Sequence, residues 1–315
     1  MNVLITGAAG NLGGFLARHL LGGAHTLKLL IHRKPLPLDL AGAPGVFVHR
    51  ADLNDTGSLS DPCRGADCIV HFAGVLFAPR PERFLPTTNV TYVQNLTSAA
   101  LAAGVRRFIL ISFPHVEGES SPEHPATGRF DGHPASVHAQ TRLAAERHLF
   151  AACEGRGMTP ISLRAGMIYG KGVLMIEAAR WLARRRMLAV WKTPTWIHLI
   201  ALPDFLSCVK AAIEGETLSG VYNLGDDRPL TLQEFLDAAA THWGMRRPWR
   251  GPRWSFYAAA WCCEAFGAIF GTASPLTRDF IRIGMASYTS DTSRMKRELL
   301  PALAFPALEA GLALL

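Results

Sequence analysis

The sequence predicts an α/β fold: a doubly wound parallel sheet with a smaller C-terminal region. Three observations predict it. A short apolar run is followed at once by a glycine-rich turn and a helix-period stripe. Apolar runs of strand length then alternate with helical stretches over the first half. The chain has 315 residues, 49% of them hydrophobic and 18% charged, which is enough for a large core and rules out disorder, collagen and coiled coil.

Val3-Leu4-Ile5-Thr6 reads as a buried strand, and Gly7-Ala8-Ala9-Gly10-Asn11-Leu12-Gly13 as the turn. Leu12, Phe15, Leu16 and Leu20 form one helical face, Gly22-Gly23 stops it, and Leu27-Lys28-Leu29-Leu30-Ile31 is the second strand. Glycines in this context permit a tight turn, close approach of a pyrophosphate to bare backbone, and close helix–strand packing. The helix N-terminus then offers free N–H groups to phosphate. The unit therefore predicts a dinucleotide site. At the end of the second strand stand His32-Arg33-Lys34, with no carboxylate for a ribose 2′-hydroxyl. Arg33 suits a 2′-phosphate, so NADP(H) is favoured over NAD(H).

Lys plus Arg number 32 against 25 Asp plus Glu, a net charge of +7. The only basic run is Arg184-Arg185-Arg186, without interleaved aromatics, so the excess suits an anionic ligand or an acidic membrane surface and not a nucleic-acid groove. Six cysteines form no CxxC pair, which reads as idle thiols in a reducing compartment. Asn2 to Thr6 enter a strand immediately, which leaves no room for a signal peptide. A cytoplasmic protein is expected.

The stretch Thr6 to Gly13 resembles the TGxxGxxG fingerprint of the extended short-chain dehydrogenase/reductases. Later segments keep that family's order. Ala51-Asp52-Leu53 is similar to its adenine-contacting acidic turn, and Asp67 to Gly74 to its fourth strand and small-residue turn, with Ala73 and Gly74 beneath the cofactor. Asn89 matches the structural Asn, opening a helix that ends at Gly104, and Arg106 to Ser112 match the fifth strand. Leu163 to Gly170 resemble the segment near the nicotinamide, placing Ala165 and Ile168 there, and Val221 to Gly225 with Leu230 to Glu234 resemble the late strand and helix. The tail, with Thr272 to Thr277, Tyr288 to Asp291 and Lys296 to Leu299, is similar to the hydroxysteroid-dehydrogenase-like and dihydroflavonol-reductase-like branch. The resemblance implies a Rossmann domain over 1–170 and a substrate-binding region over 171–315, returning once to the sheet near Val221 to Leu224. It also implies a cleft at the C-terminal edge of the strands.

The family's chemistry rests on a Tyr and a Lys four residues apart, plus a Ser or Thr after the fifth strand. No Tyr of this chain has Lys four positions on. Aligned on Thr141, Leu143-Ala144-Ala145 and Glu146, His138 takes the Tyr position and Arg142 the Lys position, still on one helix face. Ser112 is kept, followed by Phe113-Pro114. Arg142 could hold ribose hydroxyls, and His138 could act as general acid or base. Beside Arg142 the neutral imidazole is favoured, which tilts the pair toward proton abstraction. The bland alternative makes His138 a space filler and pairs Arg142 with Glu146 on the helix surface. Two functions follow: an atypical NAD(P)(H)-dependent oxidoreductase or epimerase of a small, largely apolar alcohol or carbonyl substrate, or a catalytically silent NADP(H)-binding scaffold.

His115, His124, His133 and His138 fall at spacings of nine, nine and five, which match no metal motif, so no metal is expected. The Pro- and Gly-rich stretch 114–136 reads as a loop over the site, with His115 and His133 as reserve proton carriers. Residues 254–271 are apolar with Glu264 as the single charge, too short and too acidic to favour a bilayer span. They are read as a substrate-region helix, with membrane-surface contact as the lesser alternative. A homodimer is left open.

Overall fold

A computed structural model describes residues 1–74, 80–270, 272, 274 and 276–315. Seven parallel strands form one sheet: β1 (Asn2–Thr6), β2 (Thr26–Ile31), β3 (Val46–Arg50), β4 (Cys68–His71), β5 (Arg107–Ser112), β6 (Thr159–Ala165) and β7 (Gly220–Leu224). Their spatial order is β7-β6-β5-β4-β1-β2-β3. The order reverses between β1 and β4, whose register pairs Ile5 with Val70 and Thr6 with His71. That reversal opens a crevice at the C-terminal ends of the strands.

The longer helices are α1 (Asn11–Leu20), α2 (Tyr92–Ala102), α3 (Val137–Cys153), α4 (Leu174–Arg184), α5 (Leu202–Glu214), α6 (Leu232–His242), α7 (Arg253–Phe270) and α8 (Arg278–Met285). Strand residues alternate between two cores. Val3, Ile5, Leu27, Leu29 and Val70 pack on one face with Leu16, Leu20 and Phe205. Leu4, Leu30, Ile69, Phe108 and Leu110 pack on the other with Val93, Leu96 and Leu149. Helices cover both faces, which is why these strands read as unbroken apolar runs. The late strand predicted near Val221 is β7, at the edge beside β6.

Local chemistry sets several ends. Ser136 caps α3, its Oγ accepting from the Ala139 N–H at 3.2 Å. Thr231 and Glu234 form a reciprocal capping box on α6. The guanidinium of Arg107 donates to the carbonyls of Ala212 and Ile213 at 3.2 and 2.6 Å, satisfying the free acceptors at the end of α5. The helix expected to open at Asn89 begins earlier, at residue 85, and runs unbroken into α2. Pro86–Thr91 form a π-helical turn before it, with Asn89 buried inside. Among the described residues no helix is long and apolar enough to cross a membrane. Gly271 of the apolar stretch, and Ala273 and Pro275 of the tail signature, lie outside the described residues.

Candidate active site

The glycine turn is built as its sequence requires. Gly7 has φ +71°, and a Cβ there would stand 2.9 Å from the Ala73 nitrogen. A Cβ on Gly13 would meet the Gly7 carbonyl oxygen at 2.4 Å, so α1 can approach the turn only with glycine at that position. Gly10 is the N-cap of α1, and no side chain caps the helix. The first-turn N–H groups of Asn11, Leu12 and Gly13 are thus left for a ligand, which fits a pyrophosphate. Thr6 lies beneath the turn. Its Oγ1 is 2.8 Å from His71 Nδ1 and accepts the Ala73 N–H at 3.3 Å. The Asn11 side chain is occupied elsewhere: Nδ2 donates to the Gly172 carbonyl at 2.9 Å and Oδ1 accepts the Leu174 N–H at 3.2 Å. Only its backbone is available to a cofactor.

At the end of β2, His32 Nε2 lies 3.7 Å from Asp52 Oδ2, and Arg33 is exposed. Arg33 and Asp52 both act on the Tyr92 hydroxyl, Asp52 and burial pushing its pKa up and Arg33 down, with burial the largest cause. Arg33, Asp52 and Tyr92 therefore lie close to one another at the end of β2. Leu53 is buried, and its carbonyl accepts from Asn95 at 2.9 Å.

The catalytic candidates meet where β4 and β5 end. Arg142 is buried, and its guanidinium lies against Gly74: a Cβ on Gly74 would be 2.8 Å from Nη2 and 3.6 Å from Asn89 Oδ1. Asn89 Nδ2 donates to Thr141 Oγ1 at 2.9 Å, leaving Oδ1 unpartnered. Among the described residues the Arg142 guanidinium makes one long hydrogen bond, to the Ile111 carbonyl at 3.5 Å. Desolvation lowers its pKa to about 10, against the nearby charge of Glu146, so it stays a cation at neutral pH. Arg142 and Glu146 do not pair on the helix surface. Both are buried, and the Glu146 oxygens accept from Ser162 Oγ at 2.9 Å and from Arg164 Nη2 at 2.6 Å. Arg164 also holds Glu117 at 2.6 Å.

His138 is buried one turn before Arg142. Burial first, then the charges of Arg142 and His115, push its pKa down to about 3, which keeps the imidazole neutral. Its ring meets Phe113 edge-on at 5.0 Å. His115 joins the cluster, 5.1 Å from Phe113 and 4.2 Å from Tyr288 between ring centroids. Burial lowers its pKa to about 4, and the Ala286 and Ile283 carbonyls close by pull it part of the way back, although neither ring nitrogen meets hydrogen-bond geometry with them. Ser112 Oγ is buried without a partner. His71 is buried too, its pKa pushed down to about 3 and its Nε2 unpartnered.

The structure thus brings Arg142, Gly74 and Asn89 together and gathers His138 and His115 on the ring of Phe113, the residue that follows Ser112. His133 and His124 stay exposed. Ala165 ends β6 opposite Leu224 of β7, and Ile168 lies beyond it, paired with Ile200 in a separate short parallel ladder. Among the described residues no three His, Cys, Asp or Glu side chains converge as a metal site would need. Tyr288 and His71 were not singled out. Both fall inside stretches read for their resemblance, Tyr288 to Asp291 and Asp67 to Gly74, where neither was given a role in the site.

Residues 3–225 match the family model described as NAD dependent epimerase/dehydratase. The chain belongs to that family. It is an extended short-chain dehydrogenase/reductase, and the match spans the glycine turn, the His138/Arg142 helix and β7. The chain is 23% identical over 288 residues to the UDP-glucose 4-epimerase of Vibrio cholerae, covering 88% of this chain and 84% of that one. It is 27% identical over 255 residues to the 2-alkyl-3-oxoalkanoate reductase of Stenotrophomonas maltophilia, covering 75% and 74%. Among solved structures, the NAD complex of the Bacillus cereus UDP-glucuronic acid 4-epimerase superposes with a TM-score of 0.79 at 17% identity, covering 100% of this chain and 97% of that one. MoeE5 with UDP-glucuronic acid and NAD gives 0.78 at 22%, with the same coverage. These likenesses establish the Rossmann fold.

Proposed function

We propose that this epimerase/dehydratase-family member is an NADP(H)-using oxidoreductase or epimerase of a small, largely apolar alcohol or carbonyl compound, with His138 and Arg142 in place of Tyr and Lys. The observation that carries it is the buried imidazole and buried guanidinium on one helix face, beside the orphaned Ser112 hydroxyl. Gly7, Gly10, Leu12 and Gly13 would hold the pyrophosphate, with Asp52 at the adenine end. Arg142, against Gly74, would donate to the ribose hydroxyls. The nicotinamide, when bound, supplies hydride acceptance or donation. Neutral His138 offers one ring acceptor and one N–H, so it can take or hold the proton of a substrate hydroxyl, and Ser112 Oγ can orient the same oxygen. Phe113, His115 and Tyr288 supply an aromatic wall that suits an apolar substrate.

Arg33 supports the NADP(H) preference, because it is exposed at the end of β2 with no ion pair among the described residues. The outer face of α7 carries Trp254 at 71%, Trp261 at 59% and Ile269 at 75% exposure. That face supports a peripheral membrane contact as a property of the same enzyme.

A second reading, a coenzyme-binding accessory protein without turnover, has its own support. A His138 that stays neutral down to about pH 3 carries no proton to hand to a ketone at neutral pH. One experiment separates the two: NADPH oxidation and NADP+ reduction across a panel of ketones and secondary alcohols, with His138→Phe alongside. The enzyme reading expects turnover that the variant loses while its coenzyme affinity stays within about twofold. Coenzyme binding with neither net redox turnover nor substrate conversion at constant NADPH, the mark of an epimerase or dehydratase that keeps its coenzyme, favours the accessory role. Equal turnover in both removes His138 from the mechanism.

A further inference from the structure

A cavity of about 490 Å³ opens between the segment after β4 and helix α7. Its walls carry Arg80, Arg83 and Arg278, the rings of Phe84 and Trp261, and one carboxylate, Glu264. Glu264 is fully engaged: Oε1 accepts the Arg278 backbone N–H and Oε2 its Nε–H, both at 2.7 Å. The guanidiniums of Arg80 and Arg83 have no hydrogen-bond or ion-pair partner among the described residues. Glu82 and Asp279 act on each other nearby, with Arg282 beside Asp279, but neither lines the cavity. Two like charges facing one space repel unless an anion lies between them. Arg80 also sits at φ +57°, a left-handed conformation that costs a side-chain-bearing residue energy.

Two elements lead from the cavity to the helix and loop that carry the reacting cluster. The cavity's turn, Pro81–Arg83, packs on α3, which carries His138 and Arg142. Helix α8 starts at Arg278 in the cavity wall and ends near His115, which lies close to the Ile283 and Ala286 carbonyls. At 1.5 Å per residue the two ends are roughly 10 Å apart.

We propose that Arg80 and Arg83, beside an Arg278 already paired with Glu264, bind an anionic group, a carboxylate or phosphate, at one end of the substrate, with an apolar spacer of roughly 10 Å running past Phe84 and Trp261 to the carbon that reacts. This rests on the reading that the His138/Arg142 cleft transforms an alcohol or carbonyl, and it is tested by binding so that the two can fail separately.

The test uses the NADPH-loaded protein and three monomeric probes of equal chain length: decanoate, decyl phosphate and decanol. Calorimetry should show the two anions binding about tenfold or more tighter than the alcohol, an advantage that Arg80→Gln and Arg83→Gln each reduce about tenfold with NADPH affinity unchanged. Should a variant fail to fold, rising salt on the parent protein gives the same reading, weakening decanoate and sparing decanol. Decanol binding as tightly as decanoate, or glutamine variants that keep the preference, overturns the assignment. So does sedimentation with phosphatidylglycerol vesicles by a protein that ignores monomeric decanoate, which would make the cluster a membrane-surface contact. Arginine-dependent decanoate binding in a protein that turns over no substrate would keep the anion cavity and refute the catalytic reading instead.

Discussion

Replacing His115 by Phe removes one of the buried imidazoles that the fold holds neutral, among them His71, His138 and His198. Burial pushes His71, His115 and His138 down to about 3, 4 and 3, whereas an imidazole in the unfolded chain titrates near 6.5. Between those values the unfolded chain binds protons that the native chain refuses, so stability is complete above about pH 6.5 and is lost as the pH falls toward 4 and 3. At pH 5 the loss is about 2 kcal/mol for each imidazole and about 6 kcal/mol for the three, comparable with the whole stability of many domains. Asp226 works in the opposite sense. Burial raises its carboxyl to about 7, so the native chain takes up a proton first and regains about 2.5 kcal/mol between pH 7.5 and pH 5. The difference between parent and variant cancels that contribution. In His115→Phe a ring of similar shape keeps the stack on Tyr288 and Phe113, and two unpartnered buried nitrogens disappear. The variant should match or exceed the parent at about pH 7.5 and exceed it by about 2 kcal/mol at pH 5. Urea unfolding followed by far-ultraviolet circular dichroism at the two pH values measures both. An identical pH dependence in the two proteins would mean that native His115 takes up its proton normally, and the reasoning would be refuted.

Three further expectations follow from the same geometry. Gly13→Ala drives a methyl into the Gly7 carbonyl, 2.4 Å away, and should weaken NADP(H) binding about tenfold or more by calorimetry; an unchanged Kd would show that the turn is not the phosphate seat. Arg33→Ser should weaken NADPH about tenfold while sparing NADH, and equal effects on both would end the 2′-phosphate assignment. Arg164→Met strips the guanidinium that Glu117 and Glu146 share and should cost about 3–5 kcal/mol in thermal or urea unfolding, since buried Glu146 loses its paired charge while Glu117 keeps Arg129 at 3.8 Å; a cost below about 1 kcal/mol would contradict that.

The parts legible in the sequence are those written in consecutive residues. The glycine turn between β1 and α1 shows in Thr6 to Gly13 because steric need acts on neighbouring positions. The strands show as apolar runs because both sheet faces are covered. The spacing of four shows that His138 and Arg142 share a helix face. What was not legible depends on residues far apart in the chain. Nothing near Glu146 announces that Ser162 and Arg164 will claim it and leave Arg142 to face Gly74. His115 was named from its place in a histidine-rich loop, but its burial comes from Tyr288, from the other end of the chain. The vacancy of Arg80 and Arg83 is likewise a property of what does not pack against them, and no local pattern encodes it.

Asn11 stands at the junction of two regions that a domain boundary near Gly170 would treat as separate. Its backbone faces the phosphate seat while its amide grips the stretch leading into α4. Immobilising the start of α1 therefore also immobilises residues 172–174. The glycine turn and the stretch leading into α4 are thus joined by two hydrogen bonds through one side chain, and a substitution at Asn11 would loosen both ends at once.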